Sequence, residues 1–338
     1  MSEASLFAQQ ERNRHRSTLL VAVFVLFFAW IGFGADYIIH LSTAGAPPTA
    51  YHHQIPFAGL AACALALGMA WFSWRRGAQQ VLWSTRAWEL VNAATPEEQQ
   101  LVNVVEEMAI ASGLPKPKIW IVPDDDPNAF ATGIDERHAH LAVTQGLLAT
   151  LSRDELQGVV AHEMAHIKNY DVRLMTLLAA LVGVLALISD ATMRFLWFGG
   201  GRGRGGSKKG GSGPLLAILL VVWIITVLLA PVVSRLLAMA VSRKREYLAD
   251  ATGAQFTRNP AGLANALEKI ETAVAPTKSI KWGTAHLCIT DPLGRRINAK
   301  QGVVANLLAT HPPMAVRIAR LKQMAYQYQK TGVLPDEG

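Results

Sequence analysis

The sequence predicts a mainly helical α+β fold with a small antiparallel sheet, carried on about four transmembrane helices arranged as two hairpins. Three observations predict it. The 338 residues are 51% hydrophobic and only 17% charged, with a mean hydropathy of +0.22, too apolar for an ordinary soluble chain. Residues 17–35, 54–74 and 214–234 carry no charge and are each long enough to cross a hydrocarbon core of roughly 30 Å. Between the second and third of these stretches lie helical periodicities and three short strand-like segments, the pattern of a folded domain.

Taken in order, Arg12, Arg14 and Arg16 precede the first span, no Lys or Arg occurs between the first two spans, and Arg75 and Arg76 follow the second. Basic residues collect on the cytoplasmic side, so the amino terminus and the segment after Arg76 are predicted to be cytoplasmic. The first span is too long, and too poor in a small-residue cleavage site, to read as a removable leader. Pro96–Ser112 predicts a helix with Leu101, Val104, Val105, Met108 and Ala109 on one side. Lys118–Val122 predicts a strand, and residues 128–133 and Ala139–Thr144 a second and third joined across Asp135-Glu-Arg137. The acidic run at 124–126 reads as a solvated turn. Asn128-Ala-Phe-Ala-Thr-Gly133 is either a structural edge strand or one whose small residues admit a peptide by strand addition.

Residues 162–166 read His-Glu-Met-Ala-His. Two histidines four apart lie one turn above each other on a helix, so both imidazoles can face one Zn²⁺, while the intervening Glu163 sits where it can take a proton from a metal-activated water. Ser152 and Glu155 form a capping box at the start of this helix, and Leu156, Val159, Val160 and Ile167 give it a stripe that packs into a core. Two ligands leave such a site one short of the usual three. Glu246, Asp250, Glu268, Glu271, His286 and His311 are the downstream candidates. Ser242-Arg-Lys-Arg-Glu-Tyr-Leu-Ala-Asp250 places Glu246 and Asp250 four apart, which suits a ligand with a second carboxylate to orient a histidine ring, although taken alone Glu246 beside three basic residues reads more often as an ordinary surface charge.

Residues 174–188 make a shorter apolar stretch that either spans or is buried. If His162, His166 and Glu246 bind one metal, the chain between them crosses an even number of times, so 174–188 and 214–234 span together or not at all. Their connector, 199–213, has nine Gly with Arg202, Arg204, Lys208 and Lys209, and reads as a flexible linker rather than an RNA contact. The division is therefore 1–76, an N-terminal transmembrane hairpin; 77–173, the first part of a catalytic domain, with the edge strand and the His-Glu-Met-Ala-His helix; 174–234, a second hairpin; and 235–338, the second part of the catalytic domain, with the third ligand. The net charge of +7 gathers beside the spans, where it orients helices against lipid, and implies no nucleic-acid partner. Cys63 and Cys288 have no metal spacing, and a structural disulfide does not suit a cytoplasmic domain.

The string around His162, Glu246-Tyr-Leu-Ala-Asp250, Asn128-Ala-Phe-Ala-Thr-Gly133, and Thr310-His-Pro-Pro313 followed by Arg317 together resemble the HtpX-type heat-shock membrane proteases, gluzincins related to the CAAX prenyl endopeptidases. The resemblance runs over residues 90–325. It implies a zincin-like metalloprotease domain and a zinc-dependent endopeptidase of the bacterial cytoplasmic membrane, with one Zn²⁺ per chain and the active site facing the cytoplasm. It implies misfolded membrane proteins as substrates in a stress response. It further implies His162, His166 and Glu246 as ligands, Glu163 as general base, Asp250 as the carboxylate that orients a ligand ring, Asn128 and His311 as groups that hold substrate or steady the oxyanion, and Arg317 as a residue close to the cleft. The long basic connector and residues 253–292 depart from the family pattern.

Two other readings use the same string. A site-2-type intramembrane protease also carries His-Glu-x-x-His, but Lys168, Asn169, Asp171 and Arg173 follow too closely for a site in the bilayer, and Asn259-Pro-Ala-Gly262 has Ala where an Asp is needed. A zinc-dependent membrane sensor would bind peptide without cutting it.

Overall fold

The computed structural model describes residues 3–43, 47–194, 243–273, 287–290 and 312–334, together with 221, 225, 278 and 279. The chain divides into two compact units, one of residues 1–17, 76–180 and 235–338, the other of residues 18–75 and 181–234.

In the second unit, α1 (Glu3–Thr43) and α2 (Phe57–Ser84) contribute their apolar lengths. Both helices overrun the predicted spans, and α2 starts three residues later than Gln54 because Pro56 disfavours helix in the residue before it. The stretches Glu11–Tyr37 and Phe57–Ser84 are long and apolar enough to cross a membrane. Only 11% and 22% of their most apolar windows are buried, and Leu26, Trp30, Leu67 and Trp71 are exposed, as a lipid-facing surface requires. The two helices meet closely at Gly32, where an added Cβ would lie 2.7 Å from the Ala58 carbonyl. Asp36 of α1 caps α2, accepting from the amides of Ala58 and Gly59 at 3.1 and 2.6 Å and pairing with His53 at 2.8 Å.

The other unit is built on a four-stranded sheet of order β1-β2-β4-β3, from β1 (Trp88–Glu89), β2 (Lys118–Val122), β3 (Ala129–Gly133) and β4 (Ala139–Thr144). The sheet is mixed, not antiparallel as predicted. β3 and β4 form an antiparallel hairpin through a short 3₁₀ turn at Glu136–His138, whereas β2 pairs with β4 in parallel. The cause is the link after Val122, which carries the chain past the end of β4 to the outer edge. Asp124 and Asp126 in that link are buried, not solvated: Asp124 accepts from the amides of Asp126, Lys278 and Ser279 at 3.1, 2.9 and 2.6 Å.

α3 (Pro96–Ser112) occupies the residues predicted for it, because Thr95 and Glu98 cap its start, Pro96 opens it and left-handed Gly113 ends it. After the short α4 (Gln145–Thr150) come α5 (Arg153–Lys168), α6 (Asp171–Arg194), α7 (Arg243–Thr257), α8 (Pro260–Thr272) and α9 (Met314–Thr331). α5 runs through the centre, packed by α3, α7, α8 and β3, and α9 covers α8. Strand alternation sends Ile119, Ile121, Leu141 and Val143 into this core and Trp120, Val122 and Ala142 against Val81, Leu82 and Phe130 on the other face. Residues 174–188 lie on α6, whose first turns are buried in this unit. The stretch 214–234, apart from residues 221 and 225, and the connector 199–213 lie outside the described residues.

Candidate metal centre

Local chemistry makes α5 a rigid support. The Glu155 carboxylate accepts the Ser152 amide at 2.7 Å and pairs with Lys269 of α8 at the same distance. Gly158 lets α8 approach, since a Cβ there would sit 2.6 Å from the Leu263 nitrogen, and Gly253 lets α7 approach within 3.0 Å of the His162 nitrogen by the same measure. That second approach brings Glu246 and Asp250 of α7 against the histidines of α5.

His162, His166 and Glu246 thus converge, their ligand atoms all lying within 4.8 Å of one another. The two Nε2 atoms are 3.2 Å apart, and Glu246 oxygens lie 3.8 Å from His162 Nε2 and 3.6 Å from His166 Nε2. Tetrahedral zinc with bonds of 2.0–2.1 Å separates its ligands by about 3.3 Å, so this donor set fits the ion with sub-ångström adjustment. Both Nδ1 atoms are turned to carboxylates, which leaves the Nε2 lone pairs for a metal. His166 Nδ1 donates to Asp171 Oδ2 at 3.1 Å, and His162 Nδ1 stands 2.9 Å from Asp250 Oδ1.

The carboxylates are supported differently. Arg317 of α9, fully buried, forks onto Asp250 through Nε and Nη2 at 2.8 and 2.7 Å, donates through Nη1 to the Ile289 carbonyl at 3.0 Å, and lies 3.4 Å from Glu246 Oε2. Burial would raise the Asp250 carboxyl, but the Arg317 guanidinium holds it below its ordinary value. Asp171 receives the Asn13 amide at 2.7 Å, while Arg245 stands 3.7 Å away. In the metal-free protein the histidines therefore diverge. Burial, with the Arg317 and His166 charges, lowers His162 against the pull of Asp250, whereas Asp171, Glu246 and Glu163 overcome burial and raise His166 to about 9.

Glu163 is 2% exposed, and its pKa is raised to about 7, chiefly by burial and further by the Glu246 carboxylate. His166, the Ala131 amide of β3 and Arg317 oppose that rise. A carboxylate poised near neutrality beside a metal site has the proton affinity of a general base. Ala131, Met175, Leu287 and Cys288 complete the cavity wall.

Along the outer edge of β3, Ile289 donates to the Ala129 carbonyl at 2.9 Å, Ala131 donates to Glu163, and Gly133 donates to Thr176 Oγ1 at 3.0 Å. Asn128 is buried, its Nδ2 bonded to the Thr290 carbonyl at 3.1 Å and its Oδ1 to the Ala129 amide at 3.0 Å. His311 and His286 lie outside the described residues, and Glu268 is taken up by an ion pair with Lys322 on the outer surface of α8. Sequence reasoning missed Asp171, which lies beyond the end of α5 and returns to His166 only because Tyr170 turns the chain at φ 57°. Its one signal is an acidic residue five positions after the second histidine.

Residues 95–325 match the family described as Peptidase family M48. A relative named Protease HtpX homolog from Thermoanaerobacter pseudethanolicus is 45% identical over 232 residues, 68% of this chain and 74% of that one. Another of the same name from Lactobacillus helveticus is 35% identical over 320 residues, 94% of this chain and 100% of its own length. Among solved structures, S. mikatae Ste24p is similar at a TM-score of 0.44 and 16% identity, over 90% of this chain and 66% of that one.

Proposed function

The chain belongs to peptidase family M48 and is a membrane-associated metalloendopeptidase, and from that premise we propose a zinc-dependent enzyme that hydrolyses misfolded or damaged membrane proteins in the bacterial cytoplasmic membrane. The observation that carries the zinc reading is the triangle of His162, His166 and Glu246, with a carboxylate behind each histidine. Zn²⁺ bound there supplies Lewis-acid polarisation of a peptide carbonyl and acidifies a water molecule. Glu163 takes the proton from the attacking water and passes it to the leaving amine, so no covalent bond forms between chain and substrate. Burial raises the proton affinity of this carboxylate, the direction that the first transfer needs.

Asp250 and Asp171 hold the two rings, and Arg317 acts through Asp250. Asn128 and His311 remain the groups assigned to substrate and oxyanion, an oxyanion donor being worth about 3 kcal/mol in better-studied sites. With β3 edge groups engaged by Ile289, Glu163 and Thr176, peptide binding by strand addition requires the 287–290 segment to yield. The basic residues Arg12, Arg14, Arg16, Arg75 and Arg76 support a multi-pass protein with the centre on the cytoplasmic side.

The test is zinc content and cleavage of an unfolded protein such as casein, measured on one detergent-purified sample. Glu163→Gln keeps zinc near wild-type occupancy and abolishes cleavage. Retained turnover in that variant removes Glu163 from the base role, and wild-type protein that holds zinc but cuts nothing favours a sensor.

A further inference from the structure

We infer that Asn13 is a positioning residue of the metal centre, fixing Asp171 and through it the ring of His166, so that metal affinity depends on the helix that continues into the first membrane span. This rests on the zinc reading of the triangle above. Asn13 lies on α1 four residues before the end of its unit's first segment, and it is 1% exposed. Its Nδ2 carries two hydrogens and meets two acceptors, Asp171 Oδ1 at 2.7 Å and the Asn169 carbonyl at 3.0 Å. Asp171 therefore has one oxygen for Asn13 and the other for His166, at 3.1 Å.

The turn between them has no freedom of its own to hold that geometry. Tyr170 sits at φ 57°, a left-handed conformation costly for a non-glycine residue, and the Arg14 guanidinium lies 5.0 Å from the centre of its ring. Two consecutive residues of α1 thus grip the two consecutive residues that lead from α5 into α6. Asn suits position 13 because its amide is uncharged and gives two donors, whereas a carboxylate there would face Asp171 with like charge. A ligand histidine whose Nδ1 partner is displaced loses orientation and basicity, the two properties that set metal affinity.

The experiment uses the full-length protein in detergent, with zinc affinity read by competition against a chromophoric chelator and coordination read from the visible spectrum of the Co²⁺-loaded form. Asn13→Ala weakens zinc by about tenfold, the lower end of the range for such partners, and shifts the Co²⁺ spectrum. In an Asp171→Ala background the same change has no further effect, because the link is already cut. Arg14→Ala, which loosens the turn but leaves the amide contact, weakens zinc less than Asn13→Ala does. Asn13→Ser is the milder probe should Asn13→Ala accumulate poorly, with the same expected direction. Unchanged affinity and spectrum in the Asn13 variants overturn the inference, as does an equal loss in Arg14→Ala or a full additional loss on top of Asp171→Ala. Wild-type protein that binds no zinc removes the zinc reading and this inference together; zinc-loaded wild type with unaffected Asn13 variants removes this inference alone.

Discussion

The two histidines of α5 stand on the same helix and face the same point, yet what holds them comes from opposite ends of the chain. His162 leans on Asp250, and Asp250 on the Arg317 guanidinium of the carboxyl-terminal helix α9. His166 leans on Asp171, and Asp171 on the neutral amide of Asn13 in the amino-terminal helix α1. A guanidinium forks onto Asp250 at 2.7 and 2.8 Å, while Asp171 is bonded by a neutral amide and has the Arg245 guanidinium standing off at 3.7 Å. In the metal-free protein burial, with the Arg317 and His166 charges, lowers His162, whereas Asp171, Glu246 and Glu163 together raise His166 against burial. An i,i+4 pair of ligands need not be an equivalent pair: the same residue type shifts in opposite directions under the burial and charges packed around each ring.

The comparison breaks most completely at the apex the two arms share. Glu246→Ala removes the one carboxylate common to both histidines and yields membrane-inserted protein nearly free of zinc, checked by metal analysis of the purified protein. Retained stoichiometric zinc in Glu246→Ala, with loss in His286→Ala, Glu268→Ala or Glu271→Ala, would reassign the third ligand.

Next in size is the charged arm. Arg317→Ala strands a fully buried Asp250 without its counter-ion, a change that costs about 3–5 kcal/mol and appears as a large fall in thermal midpoint with weakened zinc. Arg317→Lys recovers only part of it, because an ammonium cannot fork onto two oxygens. The other arm, cut at Asp171→Asn, weakens zinc by about 10–100-fold with a smaller fall in midpoint, since Arg245 faces Asp171 across 3.7 Å rather than through a bidentate ion pair. Equal midpoints for the two cuts would erase the distinction between the arms.

The smallest effect lies in the support common to both. Glu155 has its carboxyl lowered below its ordinary value of 4.5, the Lys269 ammonium and the Ser152 amide overcoming the opposite pull of burial. A depressed folded-state pKa contributes stability that is present above 4.5 and is lost as pH falls through the lower folded value. Glu155→Gln therefore costs about 1 kcal/mol at neutral pH, typical of a helix cap, and the gap to wild type closes on acidification. A gap that widens in acid would show the sign to be wrong.

Much of this arrangement was legible in the residues. Pro96–Ser112 was readable to its ends because Thr95, Pro96, Glu98 and Gly113 each satisfy a helix terminus locally. The helix carrying His162, Glu163 and His166 was readable for the same reason, from Ser152 and Glu155. Strand partners were not: alternation says which side chains share a face, but nothing in it tells that β2 pairs in parallel with β4 while β3 goes to the edge. Asp124 and Asp126 looked like solvated charges, since the amides that bury Asp124 belong in part to residues 278 and 279, far along the chain. Asn13 is 158 residues from Asp171, beyond any local pattern.

A centre of two imidazoles and one carboxylate is read out by zinc K-edge X-ray absorption on the detergent-purified wild-type protein. The expected coordination shell holds nitrogen and oxygen only, at about 2.0–2.2 Å, with the scattering signature of two imidazole rings. A sulfur shell at about 2.3 Å, such as Cys288 on the cavity wall would supply, or a third imidazole in place of the carboxylate, would contradict it.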